Sequence, residues 1–238
     1  EGETLRVSPI VPAEENLMVI NTEGSITAEG KLTAETKLTF EGINDNAYRG
    51  YFARLNQERR RRYFEKIVNE IVPGGKLTEF GLNPSDMQNT DKQLRASLKF
   101  TAENVLIPGE KAQLLSVPYF GTHVGYVNFV LRGAGLEERE YPFQPGVTCG
   151  VNETFSLELA DSLGKVRALP DYPELPNKDL EWTRKMKETN RKLIGKTRFR
   201  LHEVSFKPDA YKELKAILED KEYATRRRPI LEPADTPE

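Results

Sequence analysis

Only Cys149, His123 and His202 could supply a thiol and an imidazole for catalysis. A cysteine nucleophile needs a histidine that accepts its proton, and it usually lies at the start of a helix, which stabilises the thiolate. Cys149 instead lies in "PFQPGVTCGVNETFSLEL", in a turn between two strand-like segments. We therefore predict a buried, unreactive cysteine, no catalytic residues and no enzymatic activity for this chain.

Metal ligands are equally sparse. Zinc sites are built from clusters of Cys and His side chains, and this chain has one cysteine and two widely separated histidines. Asp86, Asn89 and Asp91 lie in "NPSDMQNTD", without the ligand spacing or the final glutamate of an EF-hand. We predict a loop capped by its own Asp and Asn side chains, and no metal or other cofactor.

The most strongly charged stretch is "NQERRRRYFEKIVNEI" at residues 56–71. Because a helix turns by about 100° per residue, four consecutive arginines point around most of its circumference rather than toward one ligand. Glu58 and Arg62, and likewise Arg61 and Glu65, have the i,i+4 spacing at which opposite charges attract. We interpret the run as the solvated face of a helix, and the arginines at 226–228 in the same way.

The overall charge argues against a nucleic-acid partner. Asp and Glu number 37 and Lys and Arg number 35, giving a net charge of −2, whereas nucleic-acid-binding domains usually carry a basic excess. No apolar run approaches the roughly 20 residues of a membrane-spanning helix. We expect neither nucleic acid as a partner nor a membrane span.

Two aromatic stretches, "GYVNFVLR" at residues 125–132 and "YPF" at 141–143, could line a binding groove. On strands, such side chains more often pack in the core or form cross-strand pairs. We therefore predict that these aromatics are structural, and keep the groove as the alternative.

Alternation of apolar and polar residues with a period of two predicts most of the chain as strands. From Ile26 to Glu41, apolar residues occupy mainly the even positions, and we predict one long strand that bends or bulges at Gly30. Further strands are predicted at residues 94–102, 112–117, 126–132, 136–143, 153–159 and 165–169, followed by a hairpin of 180–188 with 193–204.

Two helical regions interrupt the strands. A helical insertion is predicted at about residues 44–72, with a break near Leu55–Asn56. The apolar stripe of its second part consists of Phe64, Ile67, Val68 and Ile71. A short C-terminal helix is predicted at about 208–221, where Pro208 suits the first turn. The fold class is therefore mainly β, with β-sandwich-like antiparallel sheets, a helical insertion and a terminal helix.

The same patterns divide the chain into three parts. Residues 1–13 are predicted to be an extended segment, residues 14–225 a β-rich domain, and residues 226–238 a polar tail. We also consider a division of the β-rich domain into two lobes near residues 133–138.

Several motifs resemble the region that follows the catalytic core in bacterial transglutaminase-like proteins. "INTEGSITAEGKLTAETKLTFEG", followed by the arginine-bearing helix and "VPGG", is similar to the start of that region. "EEREYPFQPG", "NETFSLEL" with "VRAL" and Pro170, and "RFRLHEVSFKPDAYKELKAIL" resemble its later strands and final helix. The resemblance extends approximately from residue 15 to residue 220.

The resemblance implies a parent protein with an N-terminal β domain and a papain-like core, followed by this region, whose function is unknown. The nucleophile motif of the core is absent here, and Cys149 matches none of its positions. The resemblance thus implies a non-catalytic accessory domain of an exported protein, periplasmic or on the cell surface of a Gram-negative bacterium. Its expected partner is the upstream transglutaminase-like domain or another protein.

Two alternatives to this accessory function differ in what the structure should contain. A protein- or glycan-binding β-sandwich module should expose an aromatic patch rimmed by polar residues. A cysteine hydrolase should place Cys149 within hydrogen-bond reach of His123 or His202.

Overall fold

The computed structural model describes residues 9–175 and 177–233 and is rich in strands, as the sequence predicts. The strands are β1 (Leu17–Ile26), β2 (Leu32–Phe40), β3 (Lys76–Asn83), β4 (Arg95–Ala102), β5 (Leu106–Pro108), β6 (Gln113–Leu115), β7 (Cys149–Leu159), β8 (Val166–Ala168), β9 (Leu180–Thr189), β10 (Lys192–Leu201) and β11 (Ile230–Leu231). The α-helices are α1 (Ile43–Ala53), α2 (Gln57–Ile71), α3 (Tyr126–Leu131) and α4 (Pro208–Arg226).

Seven strands form one large sheet in the order β3-β4-β2-β1-β7-β10-β9. Most neighbours are antiparallel, as predicted, but β1 and β7 run parallel, so the large sheet is mixed. A parallel pair requires a long crossover, which here contains both helices of the insertion and the small-sheet strands β5 and β6. Strands from both sides of residues 133–138, the considered lobe division, belong to this sheet.

The small sheet has the order β5-β6-β11-β8 and shares the core with the large one. Its strand β11 comes from the segment predicted to be a polar tail, and Leu231 is completely buried. The prediction is wrong there because Ile230 and Leu231 are apolar and pair with β6 and β8. Residues 1–8 and 234–238 of the predicted terminal segments lie outside the described residues.

The large sheet has one polar face and one face in the core. On β7, Val151, Glu153, Phe155 and Leu157 are buried, whereas the alternate residues reach solvent. Each helix contacts a strand of this sheet: α1 contacts β2, α2 contacts β3, α3 contacts β7 and α4 contacts β9. The helices therefore cover the buried face, and the loops between them shape the surface on this side.

The long alternating run at residues 26–41 is a hairpin rather than one bent strand. It contains the end of β1, a turn at residues 27–31 and all of β2. Gly30 lies in the turn with a φ of 79°, a left-handed conformation that favours glycine. The hairpin keeps apolar residues on one face of both strands, so alternation alone does not reveal the turn.

Residues 126–132 were predicted to be a strand and instead form the short helix α3. The backbone N–H of Tyr126 donates to Asn44 Oδ1, and that of Gly125 donates to the Tyr48 hydroxyl. These contacts with α1 satisfy amides at the start of α3, so tertiary structure overrides the strand propensity of "YVNFVL". The strand predicted at 136–143 is also wrong, because only Phe143 forms an isolated bridge, with Phe206.

The helical insertion matches its prediction closely. Asn56, at the predicted break, caps α2 by accepting a hydrogen bond from the N–H of Arg59. Phe64, Ile67 and Val68 are buried, and the predicted ion pairs Glu58–Arg62 and Arg61–Glu65 are present. The final helix, α4, starts at Pro208 as predicted but extends to Arg226.

Candidate functional site

Three adjoining cavities on the helical side of the molecule share one residue, His123. Their volumes are about 810, 400 and 170 Å³. The largest lies between α2, α3 and α4, the second between α1 and α3, and the smallest beside the end of α4. We call these three cavities together the His123 groove.

Among the described residues, the charged side chains that line the groove are basic, with the exception of Glu70. The basic residues are Arg59, Arg62, Lys66, Arg132, Lys221, Arg227 and Arg228. Lys66 pairs with Glu70 at 3.7 Å, and Arg62 pairs with Glu58. The chain as a whole carries a net charge of −2, so this side is locally basic and favours an anionic ligand.

The consecutive arginines of α2 have two different roles. Arg60 donates to the carbonyls of Phe52 and Ser85, and Arg61 donates to Glu65 and the carbonyl of Leu77. These two side chains hold α2 against neighbouring segments, whereas Arg59 and Arg62 line the groove. The interpretation of the whole run as a solvated face therefore misses that it contributes two cations to a concave surface.

Aromatic rings form the wall of the 400 Å³ cavity. They belong to Tyr48, Tyr51, Tyr63, Tyr126 and Phe129. Phe129 is 63% exposed and Tyr51 is 47% exposed, and the Arg132 guanidinium lies 5.5 Å from the Phe129 ring centroid. Burial raises the pKa of Tyr63 and of Tyr48, so both phenols are neutral at physiological pH.

A buried carboxylate holds the segment that carries His123. Glu153 on β7 is 2% exposed, and its two oxygens accept hydrogen bonds from the N–H groups of Phe120 (2.6 Å) and Gly121 (3.2 Å). A Cβ on Gly121 would lie 2.9 Å from Glu153 Oε2 and 2.8 Å from Val151 Cγ1, so only glycine fits this approach. The floor of the groove is thus bound directly to the central sheet.

Two cations share the surroundings of this carboxylate. Burial raises the pKa of Glu153 to about 7, while the nearby Arg184 charge opposes that rise. Burial, together with the Arg184 charge, lowers the pKa of Lys221 to about 8. The amine of Lys221 lies 5.0 Å from the Phe199 ring centroid, and Lys221 also lines the largest cavity.

Arg184 itself is buried among aromatic rings. Its guanidinium carbon lies 3.9 Å from the ring centroid of Tyr119 and 4.9 Å from that of Trp182. Its Nε donates to Thr197 Oγ1, but among the residues that the structure describes neither its Nη1 nor the buried hydroxyl of Tyr119 has a hydrogen-bond partner. Tyr119 lines the smallest cavity, so an unpaired cationic donor lies directly behind the wall of the groove.

The hydrogen bonds of Thr122 define the tautomer of His123. The Thr122 hydroxyl donates its single proton to the carbonyl of Tyr119, at 2.7 Å, so it must accept from His123 Nδ1–H, at 2.8 Å. Nε2 of the neutral imidazole therefore carries a lone pair. Burial lowers the pKa of His123, the Lys221 charge lowers it further, and Glu70 raises it.

The structure shows no hydrogen bond between the thiol of Cys149 and either histidine. Cys149 is the first residue of β7 and is completely buried, and burial raises the pKa of its thiol to about 12. Its sulfur makes no hydrogen bond to His123 in the groove or to His202, which follows β10 and whose N–H donates to the carbonyl of Asp179. A buried thiol with a raised pKa is a poor nucleophile.

In the loop of Asp86, Asn89 and Asp91, Asp86 forms the predicted side-chain cap, whereas the buried Oδ1 of Asn89 has no hydrogen-bond partner among residues 9–175 and 177–233. Asp86 Oδ1 accepts from the N–H of Gln88 at 2.9 Å. The buried Arg49 donates to the carbonyl of Asn89 and, in a bidentate pair, to Asp45. Across residues 9–175 and 177–233, no group of three or more His, Cys, Asp or Glu side chains converges in the manner of a metal site.

The sequence indicated several of the groove residues, but it did not predict that they line one common surface. Tyr126 and Phe129 were candidates for a groove, and both line the aromatic cavity. Of the two aromatics in "YPF", Phe143 is buried in the core, and Tyr141 is 78% exposed but lines none of the three cavities. Glu153 and Arg184 were missed, although charged residues at inward positions of otherwise apolar strand faces are a sign of a buried polar cluster.

Comparisons with known proteins do not assign the chain to a group. No protein-family model matches the sequence, and no curated protein matches it significantly. None of the helices in the described part of the chain is both long and apolar enough to cross a bilayer.

Proposed function

We propose that this chain is a non-catalytic binding module that holds an acidic polypeptide segment in the His123 groove. The observation that carries the proposal is the lining of the groove, where basic side chains surround partly exposed aromatic rings. Cavities of about 300–1,000 Å³ are typical of ligand sites, and the largest of the three, at about 810 Å³, lies in that range.

An acidic polypeptide fits this lining because it can satisfy both of its components. Carboxylates form charge-assisted hydrogen bonds with guanidinium groups, and the aliphatic and aromatic parts of a peptide can cover exposed rings such as Phe129 and Tyr51. Partly exposed aromatics beside arginines are also the residue types that most often dominate binding energy at protein interfaces.

We further propose that the module is an accessory domain of an exported transglutaminase-like protein, periplasmic or on the cell surface, which presents this segment to its catalytic core. The resemblance of residues of about 15–220 to the region after such a core supports this part of the proposal. An upstream coding region that encodes a Cys, His and Asp core would support it further. An upstream region without such a core would contradict it.

The binding function can be tested by titrating the protein with a blocked oligoglutamate peptide and measuring affinity by calorimetry. The variant Arg59→Gln/Arg132→Gln removes two groove cations. The guanidinium groups of both residues make no hydrogen bond or ion pair within the described part of the chain, so their loss breaks no internal contact of that kind. The control is Arg198→Gln, which removes a 60% exposed arginine from the polar face of the sheet. We expect the groove variant to weaken binding by about tenfold or more.

Three results would contradict the binding function. These are no affinity for oligoglutamate at low ionic strength, equal affinity of the groove variant and wild type, or a loss in the control as large as in the groove variant. Preferential binding of a neutral glycan or of a single-stranded oligonucleotide at the groove would replace the acidic polypeptide with that partner.

A further inference from the structure

The three cavities of the His123 groove differ in size and chemistry, and this difference specifies more than a general preference for acidic ligands. The largest cavity mixes basic and apolar side chains, the second is mainly aromatic, and the third is small, with two arginines among polar and apolar side chains. A ligand that fills all of them must pass His123, where they meet.

The smallest cavity is suited to a single anionic group. At about 170 Å³ it is well below the size of a typical ligand pocket. Arg227 and Arg228 line it, together with Ser116 and Thr225. Arg227 is oriented by a hydrogen bond from its Nη1 to the carbonyl of Asp171, and Arg228 makes no hydrogen bond or ion pair within residues 9–175 and 177–233.

The buried wall of this cavity adds positive potential. Tyr119 is 6% exposed and its hydroxyl has no hydrogen-bond partner in the described part of the chain, while the Arg184 guanidinium lies behind its ring. The positive charge of Arg184 behind the wall adds to that of Arg227 and Arg228. It strengthens the attraction of an anion because little water screens it. Glu70 also lines this cavity, but its side chain is exposed and pairs with Lys66 at 3.7 Å.

The aromatic cavity accepts the opposite kind of group. Rings from α1, α2 and α3 surround about 400 Å³, and the edge formed by Phe129 and Tyr51 is open to solvent. Covering exposed apolar surface is favourable in proportion to the area removed from water. An aromatic or large aliphatic side chain therefore gains more in this cavity than a charged one.

We infer that the acidic segment carries an ordered pair of groups: a carboxylate that enters the small cavity beside Arg227 and Arg228, and an aromatic or large aliphatic side chain that enters the cavity walled by Tyr51 and Phe129. This inference rests on the proposed function, because it specifies the ligand of the same groove. The backbone between the two groups passes His123, whose Nε2 is free to contact it.

The inference can be tested with blocked peptides that contain one tryptophan and one cluster of aspartates, separated by glycine spacers of increasing length. Matched peptides replace the tryptophan with glycine or the aspartates with asparagine. Phe129→Ala changes the aromatic cavity and Arg228→Gln the small one. Tyr141→Ala and Arg198→Gln are the controls, because Tyr141 is 78% exposed outside the groove and Arg198 lies on the opposite face of the sheet.

We expect one spacer length to bind best and the loss of either group to weaken its binding by about tenfold. Phe129→Ala should abolish the advantage of tryptophan and Arg228→Gln the advantage of aspartate, whereas the two controls should preserve both. If acidic peptides bind equally with and without tryptophan, or if Arg228→Gln has no effect, the inference is wrong while the binding function stands. If no acidic peptide binds, both are wrong.

Discussion

The carboxylate of Glu153 accepts a hydrogen bond of 2.6 Å from the backbone N–H of Phe120, and this bond connects the middle of the large sheet to the groove. Arg184 and Lys221 share its surroundings, but neither forms an ion pair with it within 4.0 Å. A buried carboxylate compensated mainly by backbone amides is expensive to keep ionised. Its protonation state should therefore be visible in the stability of the protein.

We predict that Glu153 makes the protein less stable as pH rises from acidic to neutral. The unfolded chain loses this proton near the ordinary pKa of 4.5, whereas the folded state keeps it until about pH 7. Between these values the folded state binds more protons, so the free energy of unfolding falls by roughly 3 kcal/mol and then becomes constant. Chaotrope unfolding of wild type and Glu153→Gln over this range measures the effect.

Subtracting the pH profile of Glu153→Gln from that of wild type separates the contribution of Glu153 to the free energy of unfolding from those of other titrating groups. The lowered pKa of His123 acts in the opposite direction, since folding then becomes more favourable as pH rises toward 6.5. The lowered pKa of Lys221 changes the free energy of unfolding only between about pH 8 and 10.5, which is above the pH range in which Glu153 titrates. Identical pH profiles for wild type and Glu153→Gln would show that the carboxylate does not titrate as described.

Cys149 should be chemically inert in the folded protein. Because its thiol is completely buried and its pKa is raised to about 12, alkylation by iodoacetamide at about pH 8 should be slow and limited by unfolding. Mass spectrometry of native and chaotrope-unfolded samples measures the extent of labelling. Cys149→Ser serves as the unlabelled control, and rapid stoichiometric labelling of native protein would contradict the prediction.

Phe64 and Phe129 form a matched pair of aromatic truncations. Phe64 lies on the buried face of α2 and is completely inaccessible to solvent, so Phe64→Ala should lower the free energy of unfolding by about 3–5 kcal/mol. Phe129 is 63% exposed, so Phe129→Ala should change it by less than about 0.5 kcal/mol. Chaotrope unfolding of both variants tests the packing, and a similar loss in the two would show that α2 does not pack as described.

Ligand binding should be linked to proton uptake at His123. An anion in the groove favours the charged imidazole, whose pKa is otherwise lowered by burial and by Lys221. Calorimetry of oligoglutamate binding near pH 6, in buffers with different ionisation enthalpies, should show uptake of up to about one proton. His123→Asn should abolish the uptake and keep part of the affinity. Undiminished uptake in that variant would place the proton elsewhere.

The last strand should be necessary for the small sheet. Leu231 is completely buried between β6 and β8, so Leu231→Asp should lower the free energy of unfolding by several kcal/mol through burial of an unpaired charge. Glu232→Ala, a change at the exposed neighbouring residue, is the control. Equal thermal stability of Leu231→Asp and the control would show that the strand is dispensable.

Sequence periodicity predicts well those elements that bury one regular face. The stripe of α2, the hairpin of β9 with β10, and β4 all follow this rule, and the mainly β class follows from them. Periodicity fails where a contact distant in sequence decides the conformation. Asn44 and Tyr48 make α3 a helix, and the pairing of β11 with strands far earlier in the chain makes residues 230–231 part of a sheet.

The groove illustrates the same limit. Its basic residues come from α2, from Arg132 directly after α3, and from α4 and the residues that follow it, and each group alone has a charge pattern typical of a solvated surface. The parallel pairing of β1 with β7, the hydrogen bonds of Glu153 and the packing of α2 and α4 on the sheet bring these segments around His123. Residue types in the sequence suggested cations and aromatics, but not that they converge.

The position of β11 has a consequence for biosynthesis. Residues 230–231 lie between strands formed by residues 113–115 and 166–168, so the ribosome must translate past Leu231 before the small sheet can close. Until then the nascent chain exposes the edges of β6 and β8, which are open to pairing with other molecules. A chaperone that shields these edges during translation would therefore protect this protein from aggregation.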